Sequence, residues 1–165
     1  MSLSDRRNFL ISLAALPLAA CGFTPVYKAN SAARDLQGAI RFNLIESNEG
    51  FALLEQLELH LGAPGPAYKF DAHVDLMILE EQLVLTAATA VIRNTLTGIA
   101  KIRVTSAATG NQLFSDSLRE TAGYTSNAET LTTATSRRDA HDRLVRALAD
   151  KIAIRLASTA ESWVE

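Results

Sequence analysis

A single cysteine among 165 residues leaves Cys21 no partner for an intrachain disulfide. Apolar runs are short: none approaches the ~20 residues that a membrane-crossing helix needs, so a spanning helix is not expected. Bulk positive charge is missing as well. The formal net charge is −2, and nothing in the overall balance favours nucleic acid. No Gly-x-Ser-x-Gly, His-Glu-x-x-His or phosphate-cradling glycine loop occurs. Internal repeats and low-complexity stretches are absent too.

What the chain does have is a leader. Arg6 and Arg7 precede an apolar stretch from Phe9 to Leu18, and the small residues Ala19 and Ala20 stand before Cys21. A basic n-region, a short hydrophobic segment and a small-residue cut site make up a cleaved export signal. The run Leu18-Ala19-Ala20-Cys21 has the form of a lipobox, which places signal peptidase cleavage between Ala20 and Cys21 and makes Cys21 the lipidation site. Bacterial lipoprotein processing would leave an amide-linked acyl chain, such as palmitate, and an S-diacylglycerol thioether on Cys21. At ~0.8 kcal/mol per buried CH₂, several such chains anchor effectively permanently. The alternative is an ordinary signal peptide followed by an inert, buried cysteine. Arg6-Arg7-Asn8-Phe9-Leu10 also has the look of a twin-arginine signal, with Asp5 where Ser or Thr is usual; export by the ordinary route stays open.

Cleavage would remove residues 1–20, with Asp5, Arg6 and Arg7, and leave 14 basic and 17 acidic residues, formally −3. The remaining length suits one domain with a hydrophobic core. Residues 21–36, which begin with Gly22-Phe23-Thr24-Pro25-Val26-Tyr27 after the cysteine, read as a lipidated tether able to dock through Phe23 and Tyr27. A single α+β domain is expected over 37–160, and a short tail over 161–165.

Within that domain residues 39–46 alternate, with Ile40, Phe42 and Leu44 opposed to Arg41 and Asn43, the period-2 signature of a half-buried strand. From Asn48, a candidate cap, Phe51, Leu54, Leu57 and Leu61 recur at helical spacing until Gly62 and Pro64 stop them. Residues 68–79 alternate again, and Glu80-Glu81-Gln82 suggests a turn. One long strand rich in Val, Ile and Thr is expected from Leu83 to Thr105, bent at Gly98. Thr109-Gly110-Asn111 predicts a hairpin turn, with Leu113 to Thr121 pairing back. A Ser/Thr-rich loop over 125–136 then leads to a helix from Arg137, carrying Ala140, Leu144, Leu148, Ile152 and Leu156 on one face. The order β-α-β-β-β-α predicts a two-layer α+β sandwich, a four-stranded, mainly antiparallel sheet covered by two helices. Trp163 fits either the apolar side of the last helix or a tail that docks onto a partner.

Asp71, His73 and Asp75 share one side of a strand and could offer a cation three ligands, but such stripes are commonly solvent-facing and no cysteine or second histidine joins them. No metal site is expected. His141-Asp142 has no nucleophile placed by motif, and neighbours on a helix point apart. No catalytic residue is assigned.

In Leu18-Ala19-Ala20-Cys21-Gly22-Phe23-Thr24-Pro25-Val26-Tyr27, in Thr109-Gly110 followed by Leu113-Phe114-Ser115, in Gly123-Tyr124 and in Arg137-Arg138-Asp139-Ala140 the chain resembles the LPS-assembly lipoprotein LptE family, alphaproteobacterial type. The departures are Asp116, a charge where a small residue is usual, and a tyrosine-free loop before the last helix. The resemblance implies a non-enzymatic lipoprotein of the outer membrane, anchored on its periplasmic side. Such a protein plugs and helps assemble an LptD-like β-barrel that delivers lipopolysaccharide to the outer leaflet. No cofactor beyond the covalent lipid is implied.

A plug needs a polar, hydrogen-bonding exterior, because barrel lumens are polar. The strand face with Arg93, Lys101 and Arg103 is the candidate lipopolysaccharide-binding surface, since guanidinium and ammonium groups match acidic headgroups. The competing reading of these three is a solvated face that discourages edge pairing. An auxiliary lipoprotein of another lipid-transport system, on a similar sheet, is the alternative function; a tethered hydrolase is a third.

Overall fold

The computed structural model describes residues 31–43, 45–86, 91–126 and 130–164. The leader, Ala20, Cys21 and the segment through Asn30 lie outside the described residues. A short helical turn, α1 (Ala32–Asp35), precedes β1 (Ile40–Phe42), α2 (Asn48–Leu61), β2 (Phe70–Thr86), β3 (Val91–Ser106), β4 (Gln112–Ser126) and the long helix α3 (Thr130–Thr159), which ends in a 3₁₀ turn at Ala160–Ser162. The strands form one sheet in the order β1-β2-β3-β4. β1 runs parallel to β2, with Ile40 opposite Phe70, and the two other pairings are antiparallel. This is the expected α+β sandwich, mainly antiparallel, with its helices on one face.

Each layer follows from its apolar period. Leu144, Leu148, Ile152 and Leu156 lie four residues apart on α3 and are fully buried; they meet Leu96, Ala100, Ile102 and Val104 from β3 in one core. A fully buried Leu or Ile contributes about 1.5–3 kcal/mol. The helix sits close on the strand at Gly98, where an added Cβ would come within 2.7 Å of Leu148 Cδ1. α2 buries Leu53, Leu57 and Leu61 against α3, with Phe51 left half exposed. Its cap is Ser47 rather than Asn48: the Ser47 hydroxyl accepts the Gly50 N–H at 2.9 Å. Gly62, at φ +77°, carries the chain out of the helix.

Three boundaries differ from the sequence expectation. Glu80, Glu81 and Gln82 are not a turn but the continuation of β2, paired with Leu96, Thr95 and Asn94 of β3. Pairing passes through Gly98 without a break, and the strand expected to start at Leu83 is two strands, β2 ending at Thr86 and β3 starting at Val91. Residues 130–136, expected as loop, are the first turns of α3. The first and third differences have one cause: Glu80-Glu81-Gln82 and the Ser/Thr-rich residues up to Ser136 lack the apolar face that periodicity detects.

At the opposite end Trp163 closes the core. It is buried, edge-on to Phe70 at 5.3 Å between ring centres and tilted on Phe114 at 5.8 Å, and its indole N–H donates to Thr159 Oγ1. Leu36 and Ala33 of the α1 segment are buried in the same cluster.

Candidate functional site

Strand alternation divides the sheet into a face under the helices and an open face. On β3 the covered positions are Leu96, Gly98, Ala100, Ile102 and Val104, and the open ones include Arg93, Thr95, Thr97, Ile99, Lys101 and Arg103. Register fixes the neighbours. Arg103 stands between His73 and Ser115, Lys101 between Asp75 and Ser117, Ile99 between Met77 and Arg119, and Thr97 between Leu79 and Thr121.

All three predicted cations are exposed on the open face, yet only two are brought together. Lys101 and Arg103 flank Ile102, one pleat apart, and border a shallow depression of about 310 Å³ with Ser115 and Ser117. Arg93 is ten residues from Arg103 along the strand, ~33 Å at ~3.3 Å per residue, and stands between Leu83 and Thr125. Arg119, which the candidate set omitted, belongs with the first pair: it stands beside Ile99, one pleat from the Lys101 row. Cross-strand register was the missing information, because position along β4 alone does not say which β3 residue it faces.

Among the described residues, the side chains of Arg93, Lys101, Arg103 and Arg119 make no ion pair and no hydrogen bond. Beside them lie Met77, 54% exposed, and Leu79, 46% exposed, with Ile99 half buried between strands. Unpaired cations beside an exposed apolar strip suit a ligand with an anionic head and an apolar body.

The other side chains singled out in the sequence are engaged elsewhere. Asp71 takes Arg41 Nη2 at 2.6 Å, and Arg41 lies over the Tyr68 ring at 4.3 Å. His73 Nε2 contacts Asp75 Oδ1 at 3.1 Å. No group of three metal-ligating side chains occurs among the described residues. His60 pairs with Asp150 across the two helices at 2.7 Å. His141 Nδ1 is 3.1 Å from Glu49 Oε1 without the alignment of a hydrogen bond. Ser47 shares that cleft, its hydroxyl already occupied in capping α2.

The covered face carries a set of ion pairs that strand patterning did not show. Glu80 accepts the Tyr124 phenol on one oxygen and Arg137 Nη2, 2.7 Å away, on the other. The Tyr124 hydrogen bond, with help from the Arg137 charge, holds the Glu80 carboxyl below its usual range; burial, with Glu80 beside it, raises the Tyr124 phenol. Asp116 and Glu120 leave β4 toward the helices and meet Arg155 and Lys151 of α3, and both carboxyls are lowered by those hydrogen bonds. Asp116 is the β4 half of a strand-to-helix clamp.

No family model matches the sequence, and no curated protein matches it. Solved structures do. A protein of Caulobacter crescentus CB15 assigned as a lipoprotein superposes with a TM-score of 0.64 at 18% identity, over 78% of this chain and 96% of its own. The rare lipoprotein B of Shewanella oneidensis superposes with a TM-score of 0.53 at 12% identity, over 73% of this chain and 93% of its own. At these identities what is shared is the fold: the four-stranded sheet with helices on one face is an architecture found in proteins named as bacterial lipoproteins.

Proposed function

We propose that the protein is a non-enzymatic lipoprotein, anchored through acylated Cys21 on the periplasmic side of the outer membrane, that plugs and helps assemble an LptD-like β-barrel and takes part in delivering lipopolysaccharide to the outer leaflet. The observation that carries this reading is the coincidence of the lipobox at Leu18-Ala19-Ala20-Cys21 with a body whose fold spans nearly the whole of a Caulobacter protein assigned as a lipoprotein. Neither element depends on the other. The rare lipoprotein B likeness points the same way.

The open sheet face supplies the working surface. Lys101, Arg103 and Arg119 offer donors to phosphate or carboxylate groups, and Met77, Leu79 and Ile99 offer an apolar strip beside them. A polar remainder of Thr and Ser residues suits the hydrated interior of a barrel. Binding and positioning need no covalent chemistry.

Detergent extraction of the native protein under mild conditions, followed by identification of its largest co-purifying component, tests the reading. An outer-membrane β-barrel in constant ratio to this chain is the expected result. A transport ATPase in its place would assign the protein to another lipid-transport system.

A further inference from the structure

β1 stops after three residues because Asn43 uses its side chain where a longer strand would use its backbone. The Asn43 N–H donates to the Ala72 carbonyl at 3.0 Å, and Asn43 Oδ1 accepts the Val74 N–H at 2.7 Å. Residues of one parity in a strand turn their main-chain groups toward the same edge. Phe70, Ala72 and Val74 turn theirs toward β1, so Leu76, Ile78 and Glu80 present N–H and C=O groups along the same edge farther on. Among the described residues no strand pairs with them there.

Both faces beside this edge are also open. A groove of about 400 Å³ runs over the covered face, floored by Leu76, Ile78 and Leu96 and walled by Ser47, Glu49 and His141. On the other face Met77 and Leu79 are exposed. The sheet's far edge is guarded differently: Asp116 and Glu120 point inward from β4 and are pinned to α3, an arrangement that discourages strand addition. Glu80 provides no such guard, because its carboxylate turns inward to Tyr124 and Arg137. The exposed carboxylates beside the open edge are Asp75 and Glu81, with Glu49 in the groove wall; Arg137, an exposed cation that also lines the groove, is paired with Glu80, and Asp75 stands opposite Lys101.

We infer that the edge of β2 from Leu76 to Glu80 is a docking site for an extended segment of a partner protein in which apolar residues alternate with Lys or Arg. The segment adds a strand beside β2 by main-chain hydrogen bonds. Its apolar side chains enter the groove over Leu76 and Ile78, and its basic side chains meet the acidic rim. The main-chain edge and the groove over Leu76 and Ile78 do not involve Lys101 or Arg103, although Asp75 stands opposite Lys101 and Met77 and Leu79 border both surfaces; the inference stands whether or not the proposed function holds.

Amide hydrogen exchange of the full chain, resolved by residue, tests it with a capped eight-residue peptide of alternating valine and lysine as the probe. Exchange at Leu76, Ile78 and Glu80 should slow at least tenfold at saturation, with the outer edge of β4 unchanged. The same peptide N-methylated at alternate amides should give no protection, and one with glutamate for lysine should bind at least tenfold more weakly. Unchanged exchange at these amides, equal protection by the N-methylated peptide, or protection arising from self-association of the protein alone would each overturn the inference.

Discussion

Asp116 Oδ2 lies 2.6 Å from Arg155 Nε, joining the middle of β4 to the last turns of α3. Lys151 repeats the link one helical turn earlier, on Glu120 at 2.9 Å, and Arg137 repeats it near the start of the helix, on Glu80 at 2.7 Å. Three carboxylates thus hold α3 to the sheet, and all three have carboxyl groups lowered in the folded state.

A lowered folded pKa contributes stability that is present above the unfolded value and is lost as pH falls through the folded one. Unfolded carboxyls of these types titrate at about 4.5 for Glu and 3.8 for Asp. The protein should therefore hold its stability from neutrality down to about pH 5, then lose it progressively below that, toward and past these values. Urea unfolding at a series of pH values checks this. Asp116→Asn should cost no more than about 1 kcal/mol at pH 7, as for other partly exposed pairs, and should flatten the acid limb. An acid limb as steep as that of the parent would remove Asp116 from this account.

How much of this was legible in the sequence depends on where the core reaches. Leu53, Leu57 and Leu61 announce α2, and the alternation from Phe70 to Ile78 announces β2, because each of these residues faces the core or its margin. Beyond Ile78 both β2 and the first turns of α3 leave the core, and Glu80-Glu81-Gln82 and the Ser/Thr-rich run up to Ser136 lose the apolar signal while keeping their backbone hydrogen bonds. A helix already nucleated farther along extends through residues of middling propensity at little cost. The open face was readable by parity alone. The joining of Arg119 to Lys101 and the partnership of Asp116 with Arg155 were not, since each depends on which residues of distant segments come to face each other.

Gly98 tests how tightly α3 lies on the sheet. Any side chain there enters the space of Leu148 Cδ1, 2.7 Å from the Cβ position, and of Leu144 Cγ at 3.3 Å. Gly98→Val keeps a good strand former and adds volume only beneath the helix. It should destabilise by about 1–3 kcal/mol, the range for overpacked cores, read as a lower urea midpoint with an unchanged slope. A midpoint at or above that of the parent would mean the helix can lift from β3 freely.

Cys21→Ala should leave the body folded while abolishing acylation. Cys21 lies outside the described residues, among which the core cluster begins at Ala33. Circular dichroism should be superimposable on that of the parent, and labelled palmitate should enter the parent alone. Label entering the variant would overturn the anchor assignment.

Charge reversal on the open face separates the two ends of β3. Lys101 and Arg103 are adjacent, accompanied by Arg119 and the apolar strip, whereas Arg93 stands ~33 Å away from Arg103 along the same strand. An acidic headgroup that engages the cluster meets several donors at once, and charge-assisted hydrogen bonds are the strong ones, at about 1.5–3 kcal/mol each. Lys101→Glu with Arg103→Glu should weaken lipopolysaccharide binding by tenfold or more, because it removes two donors and adds repulsion. Arg93→Glu alone should change it less than threefold. These side chains are exposed and outside the core, so thermal stability should hardly move in either variant. Binding titrations on the purified lipoprotein decide between the readings: equal, small effects from both variants would return Arg93, Lys101 and Arg103 to the role of a solvated sheet face.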